Sequence, residues 1–361
     1  MQMVDFVGDE AGDAALEDGD LRPAVDGGVL DVDDVRTWDL AADVEEGQAA
    51  LVLFVDLAGG FDDRGIEQGD RLAIRRPDDR GRMSIGAELT PAAAGWRGGL
   101  RTAEHEVPLH EVTAVYYGKP TAPVIPAGLS GPELRFSRAQ ARVGLGGVLV
   151  SLPVRWVSHP SALADAAYKP RQLAVLKQAG LAVPPTLVTN DADAVRAFAK
   201  AFGELIVKPL AEPVVYESGG EALVYTRRLG RDELDALDGV EVTAHLVQQW
   251  QPKRFEARVT AVGGRLFPVA IHARSEKAQV DWRSDYDALT YEVIDVPDDV
   301  RAGIARYLDA AGLGFSAFDF VIRPDGEWVA LEANAVAAWG WLAEECDLPI
   351  AAAIADALTE E

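Results

Sequence analysis

An Asp325-Gly326 pair between two alternating stretches, Phe318–Arg323 and Glu327–Asn334, constrains this chain more than any other short segment. Asp-Gly favours the backbone of a tight hairpin, and period-two alternation puts every second side chain on one face of a sheet. If these two residues form the whole loop, cross-strand partners have numbers adding to 651, as 325 and 326 do, and Asp319 stands opposite Glu332. Asn334 joins that face, while Phe318, Phe320, Ile322, Val329 and Leu331 form an apolar face fit for a core. Directly opposed carboxylates repel across a sheet, so the pair asks for a cation or a shared proton. Asp, Glu and Asn offer only oxygen ligands, a set that suits Mg²⁺ held together with substrate phosphates. The alternative is a solvated strand end at which the carboxylates never meet.

The chain holds seven lysines, and Lys169 and Lys208 each precede a proline. Lys208 ends the apolar run Leu205–Val207, where a strand terminus can present an ammonium to a phosphate, although a surface lysine fits each position alone. Gln248-Gln249-Trp250 ends another strand and offers amide and backbone groups to a purine edge; an edge strand explains it equally well.

Elsewhere the pattern is that of an α+β chain. Runs at Ala50–Asp56, Leu72–Arg75, Ile85–Leu89 and Val112–Tyr117 read as strands of a small mixed sheet. Ser130 is placed to cap a helix running to about Leu149, in which Gly144, Gly146 and Gly147 are expected to let a neighbour pack closely. Leu149 stands where a third glycine would complete a dinucleotide fingerprint, and no Gly-Lys-Ser/Thr phosphate loop occurs. Past Pro160 come a helix, strand Thr186–Thr189, a helix capped by Asn190 or Asp191, and strands Leu205–Lys208, Ala222–Thr226 and Ala244–Trp250. A hairpin of Phe255–Ala261 with Leu266–His272 turns at Gly263-Gly264, and a helix covers Asp298–Ala310.

Composition acts by exclusion. The 59 acidic residues outnumber the 34 Lys and Arg for a net charge of −25 in 361 residues. Such a surface repels phosphate backbones, so no nucleic-acid partner is expected, although a local basic pocket is compatible with it. No apolar run approaches the ~18 residues of a membrane span, and no basic segment leads into an apolar one at the N-terminus. No membrane partner is expected, and the protein is expected to be cytoplasmic. Cys346 has no partner for an intrachain disulfide, and the histidines lack zinc-site spacing. Residues 1–50 carry fifteen acidic side chains against two arginines, as either a mobile arm or a weakly patterned start of the first domain.

Taken in order, Lys169, Lys208, Gln248–Trp250, Glu256, Arg258, Arg283, Asp319, Glu332 and Asn334 resemble the nucleotide-site constellation of the ATP-grasp ligases. A narrower match runs through Ala114-Val115-Tyr116-Tyr117, Tyr168-Lys169-Pro170 with Gln172-Leu173, Val183-Pro184 to Thr189-Asn190, and Val207-Lys208-Pro209. It continues in Asp281-Trp282-Arg283, Phe318-Asp319-Phe320, Leu331-Glu332-Ala333-Asn334 and Trp339-Gly340-Trp341. In these stretches residues 112–361 resemble the ATP-grasp ribosomal peptide maturases, relatives of the microviridin-type ligases that make graspetides.

The resemblance implies an α+β chain with an ATP-grasp fold, two α+β subdomains gripping ATP behind a small mixed α/β N-terminal domain. The implied division is an acidic segment 1–50, an N-terminal domain 51–160, and subdomains 161–245 and 246–361, the second with the nucleotide and metal site. ATP and Mg²⁺ are the implied cofactors. Lys169, Lys208, Gln248, Gln249, Trp250 and Glu256 would serve the nucleotide, Asp319, Glu332 and Asn334 the metal, and Arg258 and Arg283 catalysis. Tyr117, Lys119 and Asp281 are candidate substrate contacts. The implied reaction activates an Asp or Glu side chain of a precursor peptide, leader plus core, as an acyl phosphate. A Ser or Thr hydroxyl or a Lys amine of the same peptide then displaces phosphate, closing a lactone or lactam. A homodimer is the implied assembly.

Three departures stand against the resemblance. Ala335-Val336-Ala337-Ala338 replaces the usual Pro-Asn-Gly-Gln-Trp, Gly118-Lys119 replaces two arginines, and the acidic N-terminus lacks the family's usual first strand and helix. Two other functions share the nucleotide site: a degenerate ATP-grasp protein that binds nucleotide or peptide without turnover, and an ATP-grasp ligase that adds glutamate to a protein tail. Intact Asp319, Glu332, Asn334 and both lysines favour catalysis, and Asp281-Trp282-Arg283 favours the peptide maturases.

Overall fold

The computed structural model describes residues 49–54, 72–74, 84–101, 106–118, 125, 128–211, 214–217 and 220–359. The acidic segment thus lies outside the described residues up to position 48, and so does Lys119.

Four parallel strands form the first sheet, in the order Leu72–Ile74, Ala49–Phe54, Val112–Gly118, Arg155–Val157. The strand Ser84–Glu88 does not join them. It pairs antiparallel with Arg97–Arg101, which pairs in turn with Glu106–Pro108, so the expected mixed sheet is two sheets. Short connections favour antiparallel partners, whereas parallel ones need long crossovers.

Helix Gly131–Val150 begins at Ser130, whose hydroxyl accepts the Glu133 N–H while the Glu133 carboxylate accepts the Ser130 N–H. Among the described residues, no neighbour makes the close approach expected at Gly144, Gly146 and Gly147, where a Cβ would meet nothing within 4 Å. The helix packs instead through Leu145, Val148 and Leu149.

A second four-stranded sheet, antiparallel, has the order Arg227–Leu229, Leu205–Lys208, His245–Gln249, Thr186–Thr189. Helix Ala192–Phe202, capped by Asp191, covers one face through Val195, Phe198 and Ala199. The expected strand Ala222–Thr226 is displaced: Val214–Glu217 and Gly220–Leu223 pair as a separate hairpin, and Arg227–Leu229 takes the place in the sheet.

The largest sheet is antiparallel throughout, in the order Leu289–Val293, Arg265–Ala273, Phe255–Val262, Phe315–Ile322, Trp328–Asn334. One face packs Ala257, Val259, Ala261, Phe318 and Phe320 against Leu173 and Leu176 of helix Lys169–Gln178 and Ile304 and Tyr307 of helix Asp298–Ala311. Helix Ile350–Thr359 joins this sheet to the first one, burying Ile350, Ile354 and Leu358 with Val262, Phe315, Tyr116 and Val157.

Asp319 does pair with Glu332, but not through a two-residue loop. The Arg323 N–H donates to the Glu327 carbonyl and the Gly326 N–H to the Arg323 carbonyl, leaving Pro324-Asp325-Gly326 as the loop, with Gly326 at φ 89°. Near the loop, Ile322 faces Trp328 and Phe320 faces Ala330; a bulge at Leu331 then restores the expected register from Asp319 onward. The bulge also exchanges faces. Trp328 and Ala330, rather than Val329 and Leu331, pack with Phe318, Phe320 and Ile322.

Candidate active site

Alternation along three neighbouring strands, Phe255–Val262, Phe315–Ile322 and Trp328–Asn334, puts Glu256, Arg258, Asp319, Glu332 and Asn334 on the face turned away from the core. Arg258 and Asp319 are direct cross-strand partners, and Nη1 of Arg258 donates to Asp319 Oδ1 at 2.8 Å while Nη2 reaches the Ala338 carbonyl at 3.3 Å. Arg283, from the turn Trp282–Ser284, donates through Nη2 to Asp319 Oδ2 at 2.7 Å and to Glu332 Oε1 at 3.1 Å. Asn334 Nδ2 lies 3.2 and 3.1 Å from the same two oxygens. Burial pushes the Asp319 carboxyl up in spite of Arg258 and Arg283. Glu332 is buried too, yet Arg283, Lys208 and Lys169 together outweigh that burial and hold its carboxyl below the usual range. Glu256 is paired with Lys253, and burial nonetheless raises its pKa.

The second sheet supplies the opposing wall. Lys208 pairs with Leu246 and Ile206 with Gln248, so Lys208 and Gln248 share one face. Lys169, at the start of its helix, donates to the Pro209 carbonyl at 2.7 Å, which brings it beside Lys208. Burial lowers the pKa of Lys208, with Glu332 pulling the other way. Gln248 Nε2 donates to the Thr186 hydroxyl at 2.9 Å, and its Oε1 is buried without a hydrogen-bond partner among the described residues. Gln249 lies on the other face, donating to the Phe202 carbonyl at 3.0 Å. The N–H groups of Gln249 and Trp250 go to the carbonyls of Pro185 and Glu204, so neither is free for a purine edge. The Trp250 ring has Arg228 at 4.7 Å and Lys253 at 5.4 Å.

Asp281, a candidate substrate contact, holds backbone. Its carboxylate accepts the N–H groups of Thr226 and Arg283, both at 3.2 Å, and lies 3.5 Å from Arg283 Nη1. Tyr117 is half-buried between two apolar clusters, and burial raises its pKa. Two contributions were not assigned from the sequence. Lys253 pairs with Glu256 three residues on, a short-range signal that was there to be read. Gln172 accepts the Ala333 N–H at 3.2 Å and so steadies the strand of Glu332 and Asn334, a contact between residues 161 positions apart that no local pattern announces.

Five cations, Lys169, Lys208, Lys253, Arg258 and Arg283, thus meet four carboxylates, Glu256, Asp281, Asp319 and Glu332. In a chain of net charge −25 this is a locally positive site, suited to a polyanion. No group of three or more His, Cys, Asp or Glu gathers as a metal cage among the described residues. Two carboxylates with one amide oxygen fit a Mg²⁺ ion that takes its remaining ligands from phosphates and water.

The sequence profile of the prokaryotic glutathione synthetase ATP-grasp domain matches residues 172–322. The macrocyclase MdnC of Microcystis aeruginosa MRC, solved bound with its precursor peptide MdnA, superposes with a TM-score of 0.71 at 23% identity, over 87% of this chain and 100% of that one. The chain has the ATP-grasp fold. A RiPP-associated ATP-grasp ligase of Chryseobacterium gregarium, in complex with ADP and a leader and core peptide, gives 0.73 at 24% identity, over 86% of this chain and 96% of its own. The ATP-grasp ligase PsnB, complexed with a phosphomimetic variant of a minimal precursor, Mg and ADP, gives 0.61 at 22%, over 87% and 98%. No curated protein matches the chain. Among the described residues, no helix is long and apolar enough to cross a membrane.

Proposed function

We propose that this protein is an ATP- and Mg²⁺-dependent ligase that closes ester or amide cross-links between side chains of a ribosomally made precursor peptide. The observation that carries the reading is the meeting of the Asp319–Glu332 pair with Arg258, Arg283, Lys169 and Lys208 on one buried surface. Residues 161–245 and 246–361 are the two gripping lobes and 51–160 the domain before them. The solved proteins of the same fold, with nucleotide, leader and core bound, support a peptide as the second substrate.

Lys169 and Lys208 take the nucleotide phosphates, and a polyphosphate there keeps Lys208 charged against the pull of burial. Gln248 Oε1, a buried acceptor without a partner, takes an N–H of the purine edge. Asp319, Glu332 and Asn334 hold Mg²⁺, which when bound neutralises phosphoryl oxygens as their charge redistributes. Arg258 is committed to Asp319 and the Ala338 carbonyl and fixes the first of these ligands. The peptide carboxylate attacks the γ-phosphate and ADP leaves. The hydroxyl or amine then attacks the acyl carbon, its proton is lost, and phosphate departs. Burial of the charged face keeps water from the acyl phosphate, with Asp319 only 4% exposed.

The alanine-rich segment contributes through its backbone, with the Ala338 carbonyl accepting from Arg258. Phosphate release, measured with and without a precursor peptide encoded near this gene, tests the proposal. Release that depends on the peptide is expected. Release stimulated by free glutamate instead, or none under any condition, would overturn it.

A further inference from the structure

Two N–H donors from different segments, Arg283 Nη2 and Asn334 Nδ2, converge on the same two oxygens, Asp319 Oδ2 and Glu332 Oε1. Each of these oxygens has two lone pairs and both are taken by these donors, so an ion that uses the oxygens must displace a donor from each, and its charge repels the guanidinium. We infer that Arg283 is the built-in counter-cation of the carboxylate pair, and that metal binding is an exchange in which Arg283 leaves Asp319 and Glu332 and Asn334 turns its amide to present Oδ1. This rests on the metal assignment proposed above and adds an order to it: the ion comes first, and only then does Arg283 have a free edge for the next anion, the carboxylate of the peptide.

The surroundings of Arg283 suit a displaced but retained guanidinium. Its Nη1 stays 3.5 Å from Asp281, which also accepts the Arg283 N–H at 3.2 Å. Its carbon centre lies 4.4 Å from the centre of the Trp282 ring, a flat support that needs no hydrogen-bond geometry. Arg283 thus has two anchors that are not the carboxylate pair, and its side chain is 36% exposed, whereas that of Arg258 is 6% exposed. Arg258 is the more fixed of the two, with Nη2 on the Ala338 carbonyl. Its Nη1 bonds Asp319 through Oδ1, the oxygen that the other donors leave alone, so it remains in place when Oδ2 changes partner.

Manganese titration of the nucleotide-free full chain, followed by the paramagnetic resonance signal of the free ion, tests this. Arg283→Gln should raise Mn²⁺ affinity about tenfold or more, because a charge-assisted hydrogen bond no longer has to be broken. Lys208→Gln, which removes a charge acting on Glu332 without a hydrogen bond to it, should raise the affinity less than about threefold. Arg283→Lys keeps the charge and shortens the reach, so tightening there reports the lost bridge rather than the field, and it serves if the glutamine variant does not fold. Equal tightening in the glutamine variants, or none in either Arg283 variant, overturns the exchange. Asp319→Asn separates the two levels: unchanged Mn²⁺ binding in that variant removes the metal site itself. Lost binding there with no special effect of Arg283 removes only the exchange.

Discussion

The two faces of the five-stranded sheet are built from the same strands and do opposite things. On one, Ala257, Val259, Phe318 and Phe320 are held by close packing, and each is buried with no polar demand. On the other, Glu256, Arg258, Asp319 and Glu332 are nearly as buried, and each is tolerable only through a partner of opposite charge. Buried charge is costly unless paired, and paired charge can be re-paired with a ligand. The apolar face therefore stores stability and the charged face stores reactivity.

Substitutions on the two faces should separate along that line. Phe318→Ala, at a fully buried core position, should cost about 3–5 kcal/mol in denaturant unfolding and leave turnover per folded molecule near the wild-type value. Glu332→Gln should do the reverse. Phosphate release should fall by about 10²–10³-fold, or ~2.7–4 kcal/mol in the transition state, with a smaller change in unfolding free energy. Comparable stability losses on both faces would break the comparison.

Two weaker effects sharpen it. Lys169→Ala and Lys208→Ala should each weaken nucleotide affinity by roughly 1–3 kcal/mol in calorimetry, the worth of a hydrogen bond to a charged group. Unchanged affinity in both would take the phosphates elsewhere. The smallest effect is on the acid limb of stability. The folded structure holds the Glu332 carboxyl below its usual range, so its contribution is present above the unfolded value of about 4.3 and disappears as pH falls through the folded one. The stability difference between wild type and Glu332→Gln should therefore shrink on going from about pH 5 to pH 3. A difference that does not change with pH would contradict that direction.

Period-two alternation and the Asp-Gly turn together revealed the charged face because both are local signals. They led to the right pairing of Asp319 with Glu332 through the wrong loop: the third loop residue, Pro324, and the bulge at Leu331 cancel, and only backbone hydrogen bonds distinguish the two solutions. The price was the face of Val329 and Leu331. Gly144, Gly146 and Gly147 have no close neighbour among the described residues, because small residues permit approach without requiring it. Asp281 was legible as a member of the site but not as a backbone anchor, since its partner Thr226 lies 55 residues away. Arg283 was legible as a cation; that it bridges both carboxylates follows only from where the turn Trp282–Ser284 sits in three dimensions.

The most direct test of the charged face as a cross-linking centre is the intact mass of the precursor peptide after incubation with this protein, ATP and Mg²⁺. The account predicts the loss of one water for each ring, with one ADP formed per water lost, and no loss with Glu332→Gln. A peptide that keeps its mass while ATP is consumed, or that gains the mass of a glutamate residue, would contradict it.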